Sequence, residues 1–306
     1  MIIVAGEALI DRIVHPDGSA IEVPGGGPFN TARTIGRLGI PVAFLGRLST
    51  DRSGTILRRA LAADGVDLSL ASTTHAPTTL ALAEIDAHGS ATYRFQTTDT
   101  SAPSLDADAV RAALGVNPAA LHLGTLGLVL EPMATALADG VARCAPETLL
   151  MVDPNCRPPA IADRTAYIAR LHAVLRRADI VKASRDDLAY LWPDTPVGGA
   201  ARQILAAGPR AVVVTDGPRP VACHTPGFAF DLAVPQVAVV DTVGAGDAFG
   251  GALLARWIER GLGRDELSDE SALRDAVTRA IEVASLTCQR PGADPPRRAE
   301  LDWPAA

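Results

Sequence analysis

A glycine-rich turn at residues 241–251 carries the residues best suited to chemistry. It reads Asp-Thr-Val-Gly-Ala-Gly-Asp-Ala-Phe-Gly-Gly and leads into a long apolar segment. Glycine lets a backbone approach a ligand closely, and the first amides of a helix are unpaired at the positive end of its dipole. The turn therefore predicts an anion site built from backbone amides, which needs no lysine.

Asp247 stands at the start of this predicted helix, where an aspartate serves either as a helix cap or as a general base. A cap alone does not need glycines on both sides of Ala245. We therefore predict that Asp247 accepts the proton of a substrate hydroxyl while nearby amides stabilise a transferring phosphoryl group. Those amides belong to Gly244, Ala245, Gly246 and Asp247. The helix dipole should lower the pKa of Asp247, and a weak base suffices when the nucleophile keeps its proton until late.

Composition narrows the possible functions. A chain of 306 residues with a net charge of −7 has no basic field for nucleic acid or anionic membranes, and no apolar stretch of membrane-spanning length. The N-terminus lacks the basic region of a signal peptide, so we expect a cytoplasmic protein. The only lysine, Lys182, follows a valine, which excludes a Walker A loop. Four cysteines without CxxC spacing predict free thiols.

Short apolar runs alternate with helical patterns, which indicates βαβ units and a mostly parallel sheet with helices on both faces. The predicted strands are Ile2–Ala5, Val42–Leu45, Ala120–Gly124, Leu149–Asp153, Ile180–Lys182 and Ala211–Thr215. The predicted helices are Asn30–Leu38, Arg52–Ala63, Glu131–Arg143, Arg164–Arg177, Arg185–Trp192, Ala245–Arg260 and Ser271–Cys288. Polar residues follow several of these strands, as an open sheet with one crevice requires.

Two segments, residues 12–23 and 78–96, break this alternation. They read as strand pairs with turns at Pro16-Asp17-Gly18 and Ala87-His88-Gly89. Their alternating polarity fits a partly exposed antiparallel sheet, which we call the flap. The sequence leaves open whether the flap closes on a ligand, joins two subunits into a homodimer, or does both. We predict that residues 1–306 form one domain that carries this flap.

The segment Asp241–Phe249 resembles the C-terminal signature of the PfkB, or ribokinase-like, carbohydrate kinase family. Gly25–Ala32, followed by Leu38-Gly39 and by Gly46–Gly54, resembles the N-terminal signature of the same family. The two signatures occur in the right order and the resemblance spans nearly the whole chain. It implies a ribokinase-like three-layer α/β/α fold and an ATP-dependent sugar kinase.

The resemblance also implies a sugar site. Its residues would be Asp11, Gly26, Gly27, Asn30, Arg94 and Arg157. In similar kinases an aspartate at the place of Asp11 and an asparagine at the place of Asn30 bind sugar hydroxyls, and the two glycines admit the sugar. The segment Asp153–Pro158 resembles the DPNxRP segment of fructokinases and 2-keto-3-deoxygluconate kinases. Arg157 could therefore hold a substrate carboxylate or a phosphate oxygen, and Arg94 could also pair with a carboxylate.

Nucleotide and metal sites follow from the same resemblance. The implied ATP-binding residues are Ser184, Thr215, Gly217, Gly244 and Gly246. Ser184 and Asp187 stand where similar kinases carry NxxE, which organises Mg²⁺, so Asp187 is expected to reach the ion through water. Many family members also bind K⁺ close to the anion site. The matching ligands are the side chain of Asp241 and the carbonyls of Val243, Thr287, Arg290 and Gly292.

Several functions fit these residues. The segments Gly6–Asp11 and Asp153–Pro158 favour fructose as the substrate, with 2-keto-3-deoxygluconate and ribose as alternatives. A nucleoside or vitamin kinase of the same superfamily stays open, and so does a non-catalytic sugar or nucleotide sensor on the same fold. A decayed sensor could lose Asp247, which this chain keeps. We expect a sugar and ATP as small-molecule partners, and neither nucleic acid nor membrane.

Overall fold

The computed structural model describes residues 1–14, 17–85 and 91–303. In this part of the chain the helices are α1 Gly27–Arg37, α2 Arg52–Ala63, α3 Ala107–Leu114, α4 Met133–Arg143, α5 Arg164–Leu175, α6 Arg185–Leu191, α7 Val197–Ala207, α8 Ala245–Glu259 and α9 Glu270–Thr287. The strands are β1 Ile2–Ala5, β2 Leu9–Val14, β3 Ala20–Gly25, β4 Val42–Leu45, β5 Arg47–Ser49, β6 Ser72–Thr74, β7 Leu80–Ile85, β8 Ala91–Gln96, β9 Ala120–Gly124, β10 Leu149–Asp153, β11 Ile180–Ser184, β12 Ala211–Asp216, β13 Arg219–His224 and β14 Ala229–Leu232.

The central sheet has the order β14-β13-β12-β11-β10-β9-β1-β4. The strands from β12 to β4 run parallel, and β13 and β14 extend one edge in antiparallel pairing. Strands β1, β9 and β10 are buried along their whole length, as parallel strands covered on both faces must be. All six predicted core strands are present; the last two extend by one or two residues, to Ser184 and Asp216.

Helices cover the sheet on both sides. Successive side chains of a strand point to opposite faces. Ile2 and Val4 accordingly pack in one apolar cluster with α1, α2, α8 and α9. Ile3 and Ala5 pack in the other cluster with α3 to α7. The predicted three-layer arrangement is confirmed. In the described ranges no helix has both the length and the apolar character needed to cross a membrane.

The structure also departs from the predicted elements. The helices α3 and α7 and the strands β5, β6, β13 and β14 were not predicted. The β-branched run Pro235–Val240, directly before the glycine-rich turn, forms no strand, since residues 233–244 contain none. Val239 and Val240 are 60% and 62% exposed, so this run has no sheet or core to pack against.

The flap is a separate four-stranded sheet with the order β3-β2-β7-β8. Both predicted strand pairs are antiparallel, but β2 and β7 run parallel. The expectation of a wholly antiparallel flap is therefore wrong at its centre. The predicted turn at Ala87-His88-Gly89, and Pro16 of the other predicted turn, lie outside the described residues.

The register of the flap divides its side chains between two faces. Asp11 lies beside Ala81, and Ala81 lies beside Phe95, so these three side chains share one face. Arg94 precedes Phe95 in the same strand and therefore belongs to the opposite face. Its exposed guanidinium lies 3.7 Å from the carboxylate of Glu84. Asp11 and Arg94 therefore lie on opposite faces of the flap.

Helices α1 and α8 pack so closely that one position needs glycine. A Cβ on Gly251 would lie 2.9 Å from the Cβ of Thr34 and 3.0 Å from the carbonyl oxygen of Thr31. On the neighbouring Gly250, a Cβ would meet only the Cε of Met151, at an ordinary 3.6 Å. This contact at Gly251 sets how near the starts of the two helices lie to each other.

We predict that Gly251→Ala is less stable than Gly250→Ala. Both variants gain the same helix propensity, so their difference isolates the clash with α1. Overpacking of this kind costs about 1–3 kcal/mol. Thermal unfolding followed by circular dichroism measures the difference. Equal stability would mean that α1 and α8 separate without cost, against the packing described here.

Candidate active site

Helix α8 begins at the glycine-rich turn as predicted. Gly244, directly before the helix, adopts a left-handed φ of 73°, and a Cβ there would lie 2.4 Å from a neighbouring side chain, so only glycine fits. The amide of Ala245 donates to the carbonyl of Thr242 at 3.3 Å. Three other amides have no acceptor among the described residues, namely those of Gly244, Gly246 and Asp247. The predicted anion site therefore keeps three of its four amides.

Asp247 is the third residue of α8, and its side chain does not cap the helix. Its Oδ2 accepts a hydrogen bond from Nδ2 of Asn30 at 2.9 Å. Its Oδ1 accepts one from Nδ2 of Asn155 at 3.3 Å. Two side chains from distant parts of the chain thus hold the carboxylate, and the alternative of a helix cap is wrong.

The surroundings of Asp247 raise its pKa, against the expectation from the helix dipole. Burial is the largest cause, because removal from water disfavours the charged carboxylate. The hydrogen bond from Asn30 and the charges of Lys182 and Arg157 act in the opposite direction. The expectation was wrong because it left burial out. A raised pKa makes Asp247 a stronger base than the sequence predicted.

Asp11 lies in β2 with its carboxylate over Gly25. A Cβ on Gly25 would fall 1.9 Å from Oδ2 of Asp11, so this approach needs glycine. Burial and the charge of Asp247 raise the pKa of Asp11 to about 6, and the charge of Arg157 lowers it. The three charged groups are therefore close enough to influence one another. No hydrogen bond or ion pair to the Asp11 carboxylate is formed by the described residues.

Asn30, Gly26 and Gly27 lie around the start of α1. Oδ1 of Asn30 is buried and without a partner among the described residues, so it can still accept a bond. A Cβ on Gly26 would lie 2.9 Å from the carbonyl of Glu7, and a Cβ on Gly27 would lie 2.4 Å from Oγ1 of Thr125. The protein's own packing thus requires both glycines. Their role in admitting a sugar stays a prediction.

Buried Glu7 holds this loop in place. Its carboxylate accepts hydrogen bonds from the amides of Gly27, at 3.2 Å, and Gly127, at 3.0 Å. Burial raises the pKa of Glu7 to about 8, although backbone amides oppose that shift. Nothing in the sequence marks Glu7, since an acid after a buried strand gives no sign of which amides it will meet.

The two predicted arginines have different positions. Arg157 is exposed and donates to the carbonyls of Asn155 and Cys156 at 3.2 Å, and its charge acts on Asp11 and Asp247. Arg94 lies on the flap face opposite to Asp11. The prediction that Arg94 binds substrate is therefore corrected, because a shift of one residue along a strand turns a side chain to the other face.

Ser184 and Asp187 form a capping box at the start of α6. Oδ2 of Asp187 accepts from the amide of Ser184 at 2.7 Å and from its Oγ at 2.6 Å, and Oδ1 accepts from the amide of Cys156 at 2.6 Å. These bonds leave the carboxylate little capacity for a direct metal bond. In the part of the chain that the structure describes, no group of three His, Cys, Asp or Glu side chains could hold a metal ion.

Thr215 and Gly217 lie at the end of β12, as predicted. The hydroxyl of Thr215 points to the carbonyl of Ala183 at 3.5 Å. Gly217 has a φ of 55° and faces open space. Both residues are thus at the strand end, and a contact with nucleotide stays a prediction.

The residues predicted to bind K⁺ meet where two loops join. Oδ1 of Asp241 accepts from the amide of Val243 at 3.0 Å, and Oδ2 accepts from the amide of Gly292 at 2.9 Å. The carbonyl of Thr287 already accepts from the amide of Arg290 at 3.1 Å, and the carbonyl of Gly292 accepts from the amide of Asp294 at 2.9 Å. Asp241, Val243 and Gly292 therefore lie close together, but two of the predicted carbonyl ligands already have partners.

Lys182 is a site residue that the sequence analysis missed. It is buried, and its Nζ donates to Oδ2 of Asp153 at 2.8 Å. A Cβ on Gly246 would lie 3.0 Å from this Nζ, so the ammonium group lies against the first turn of α8. Burial acts against its charge, yet the carboxylates of Asp153, Asp187 and Asp247 raise the pKa of Lys182 above its usual value. Its being the single lysine in the chain was the only signal.

A cavity of about 640 Å³ lies elsewhere in the molecule. It is lined by residues of the segments 97–104, 129–132 and 160–170, and by none of the predicted site residues. Cavity volume alone therefore does not identify the active site, which rests on the chemistry around Asp247.

Comparisons with known proteins show the family of this chain. The family model described as pfkB family carbohydrate kinase matches residues 1–299. A fructokinase of Rhizobium leguminosarum bv. trifolii is 33% identical over 304 residues, covering 97% of this chain and 88% of that protein. Fructokinase-1 of Zea mays is 31% identical over 316 residues, covering 98% and 96%.

Solved structures extend the comparison to the fold. The crystal structure of a Xylella fastidiosa fructokinase with bound ATP has a TM-score of 0.88 at 26% identity, covering 95% of this chain and 93% of that chain. Aminoimidazole riboside kinase of Salmonella enterica has a TM-score of 0.80 at 21% identity, covering 95% and 94%, and shows the fold alone. This chain belongs to the pfkB family of carbohydrate kinases, ATP-dependent enzymes that transfer a phosphoryl group to a sugar hydroxyl.

Proposed function

We propose that this enzyme phosphorylates fructose, with Asp247 as the base. The carrying observation is the position of its carboxylate in the first turn of α8, beside amides that have no acceptor in the described residues. A proton acceptor and an anion site therefore adjoin. The fructokinases at 31–33% identity support fructose as the substrate. The place of Arg94 away from the site also favours a neutral sugar over a keto acid, for which Arg157 alone would be left.

In this proposal two side chains, those of Asp11 and Asn30, bind the sugar. Asp11 offers a carboxylate that lacks a partner among the described residues and can accept two hydroxyl hydrogen bonds. Asn30 offers its buried, unpartnered Oδ1 next to Asp247. A sugar that bridges Asp11 and Asn30 would present one hydroxyl to the base.

Phosphoryl transfer then needs one proton movement. The attacking hydroxyl oxygen bonds to the γ-phosphorus of ATP, the bond from that phosphorus to the β-phosphate oxygen breaks, and Asp247 takes the hydroxyl proton. The amides of Gly244 and Gly246 stabilise the charge on the transferring group. The ammonium of Lys182 lies against the first turn of α8 and adds a positive charge beside these amides.

Mg²⁺ fits this site only as an ion brought by the nucleotide. Asp187 already accepts three hydrogen bonds, so a water between its carboxylate and the ion is the contact that its chemistry allows. Mg²⁺ commonly keeps several waters and binds substrate phosphates, and it supplies charge neutralisation between them.

We predict that Asp247→Asn lowers kcat by at least about 100-fold, because the amide cannot take the proton. Fructose binding should stay within a few-fold of the wild type, since the side chain keeps its size. A coupled assay of ADP release with Mg²⁺ measures kcat, and calorimetry measures binding. Asp108→Asn, in the exposed first turn of α3, is the matched control. Near-normal turnover of Asp247→Asn would remove the base from the proposal.

We predict that KM for fructose rises as the pH falls below about 6. Burial and Asp247 raise the pKa of Asp11 to about 6, and only its charged form accepts two hydroxyl bonds. Protonation below that pH removes this form about tenfold per pH unit. Initial rates across the pH range measure the effect. Asp11→Asn should show a high KM without this pH dependence, and a flat wild-type KM would contradict the role of Asp11.

We predict that replacing K⁺ by Na⁺ lowers the rate. The carboxylate of Asp241 is held by the amides of Val243 and Gly292, directly before α8 begins, so a cation there would add positive charge beside the anion site. Rates at equal ionic strength in the two salts measure the effect. Equal rates would remove the cation from the proposal.

The flap face that carries Asp11 could also contact a second subunit. Ile21 lies on the same face as Asp11 and is 53% exposed. A homodimer through this face stays a prediction, which the mass of the protein in solution checks. A cytoplasmic location also stays a prediction.

A further inference from the structure

The carboxylate of Asp247 is held at both oxygens by neutral amides. Asn30 comes from α1 and donates to Oδ2 at 2.9 Å. Asn155 comes from the loop after β10 and donates to Oδ1 at 3.3 Å. One donor would leave the carboxylate free to turn about its Cβ–Cγ bond, whereas two donors on different oxygens fix its plane.

Asn155 is itself held in one orientation. Its Nδ2 also donates to Oγ1 of Thr125 at 3.2 Å, so its two N–H groups have separate acceptors. Asn155 has a φ of 39° and Thr125 has a φ of 50°, a region that residues other than glycine adopt at a cost. Thr125 directly follows β9. Residues at the ends of two neighbouring strands therefore orient this amide towards Asp247.

We propose that Asn155 is a positioning residue, which fixes the plane of the Asp247 carboxylate so that a free lone pair meets the sugar hydroxyl. The inference rests on the proposed function, in which Asp247 is the base. Each carboxylate oxygen accepts two hydrogen bonds, so one bond from an asparagine still leaves room for the substrate. Preorganised geometry of this kind lowers the barrier without tighter substrate binding.

Other charges also face Asp247 and bear on its titration. They belong to Glu7 after β1, Asp11 in β2, Asp153 at the end of β10, Arg157 after it and Lys182 in β11. A variant at Asn155 changes none of these charges, so a shift of the pH profile reports on the amide itself. Loss of a donor to the carboxylate disfavours its charged form and moves the acid limb of kcat to higher pH.

The test uses Asn155→Gly in the full-length enzyme. Glycine adopts a φ of 39° without strain, so the variant removes the amide while the loop keeps its conformation. Asn117→Gly is the matched control, because Asn117 has a φ of 50° in an exposed loop away from Asp247. Both variants should stay folded, because each relieves the strain of a positive φ while glycine gives the unfolded chain more conformational freedom.

For Asn155→Gly we expect kcat about tenfold lower, in line with the loss of a long hydrogen bond to a charged group. KM for the sugar and for ATP should change less than kcat, and the acid limb should move to higher pH. Asn155→Asp tolerates the same backbone but sets a carboxylate against Oδ1, so both effects should be larger. Asn117→Gly should match the wild type.

Two results would overturn the inference. Unchanged kcat and pH profile in Asn155→Gly would leave Asn155 as a turn residue only. A rise confined to KM for the sugar would mean that Asn155 binds the sugar instead of positioning the base. The proposed function fails separately, when Asp247→Asn itself keeps turnover.

Discussion

Acidic side chains gathered around the start of α8 and Lys182 are the constraint on which this site depends. The carboxylates concerned are those of Glu7, Asp11, Asp153, Asp187 and Asp247, and the chain has a single lysine to set against them. Four of the five have protein partners: glycine amides, Lys182, a capping box and two asparagines. Asp11 has none in the described part of the chain. A sugar hydroxyl bound to Asp11 would donate the hydrogen bond that this carboxylate lacks.

The glycines of the two family signatures serve this charge arrangement as well as a ligand. At Gly25 the space of a side chain is taken by the carboxylate of Asp11, 1.9 Å from where a Cβ would be. At Gly27 it is taken by the hydroxyl of Thr125, and at Gly246 the ammonium of Lys182 would lie 3.0 Å from a Cβ. Because these glycines have no side chain, polar groups of neighbouring elements can lie close to the backbone around the active site. The spacing of such glycines reflects contacts within the protein that no single segment reveals.

Local patterns were enough for the buried parallel strands, because a run of four to six apolar residues between polar segments is too short for a core helix and fits a strand covered on both faces. They were also enough for the glycine-rich start of α8. They failed where the structure depends on contacts between segments: Asn155 meets Asp247 across 92 positions, and burial, which reverses the expected pKa shift of Asp247, is a property of the folded chain. Arg94 was misplaced because an uncertainty of one residue in register turns a strand side chain to the opposite face.

Neutral donors suit a base better than charged ones. An arginine or lysine bonded to Asp247 would fix it equally well, but its charge would favour the ionised carboxylate and weaken its affinity for a proton. Amides from Asn30 and Asn155 hold the group with less of this effect. The ammonium group of Lys182 is instead bonded to Asp153 and lies against Gly246, next to the amides proposed to bind the phosphoryl group. The site thus orients the base with neutral amides and bonds its nearest ammonium group to another carboxylate, so that the charge of Lys182 lowers the pKa of Asp247 only from a distance.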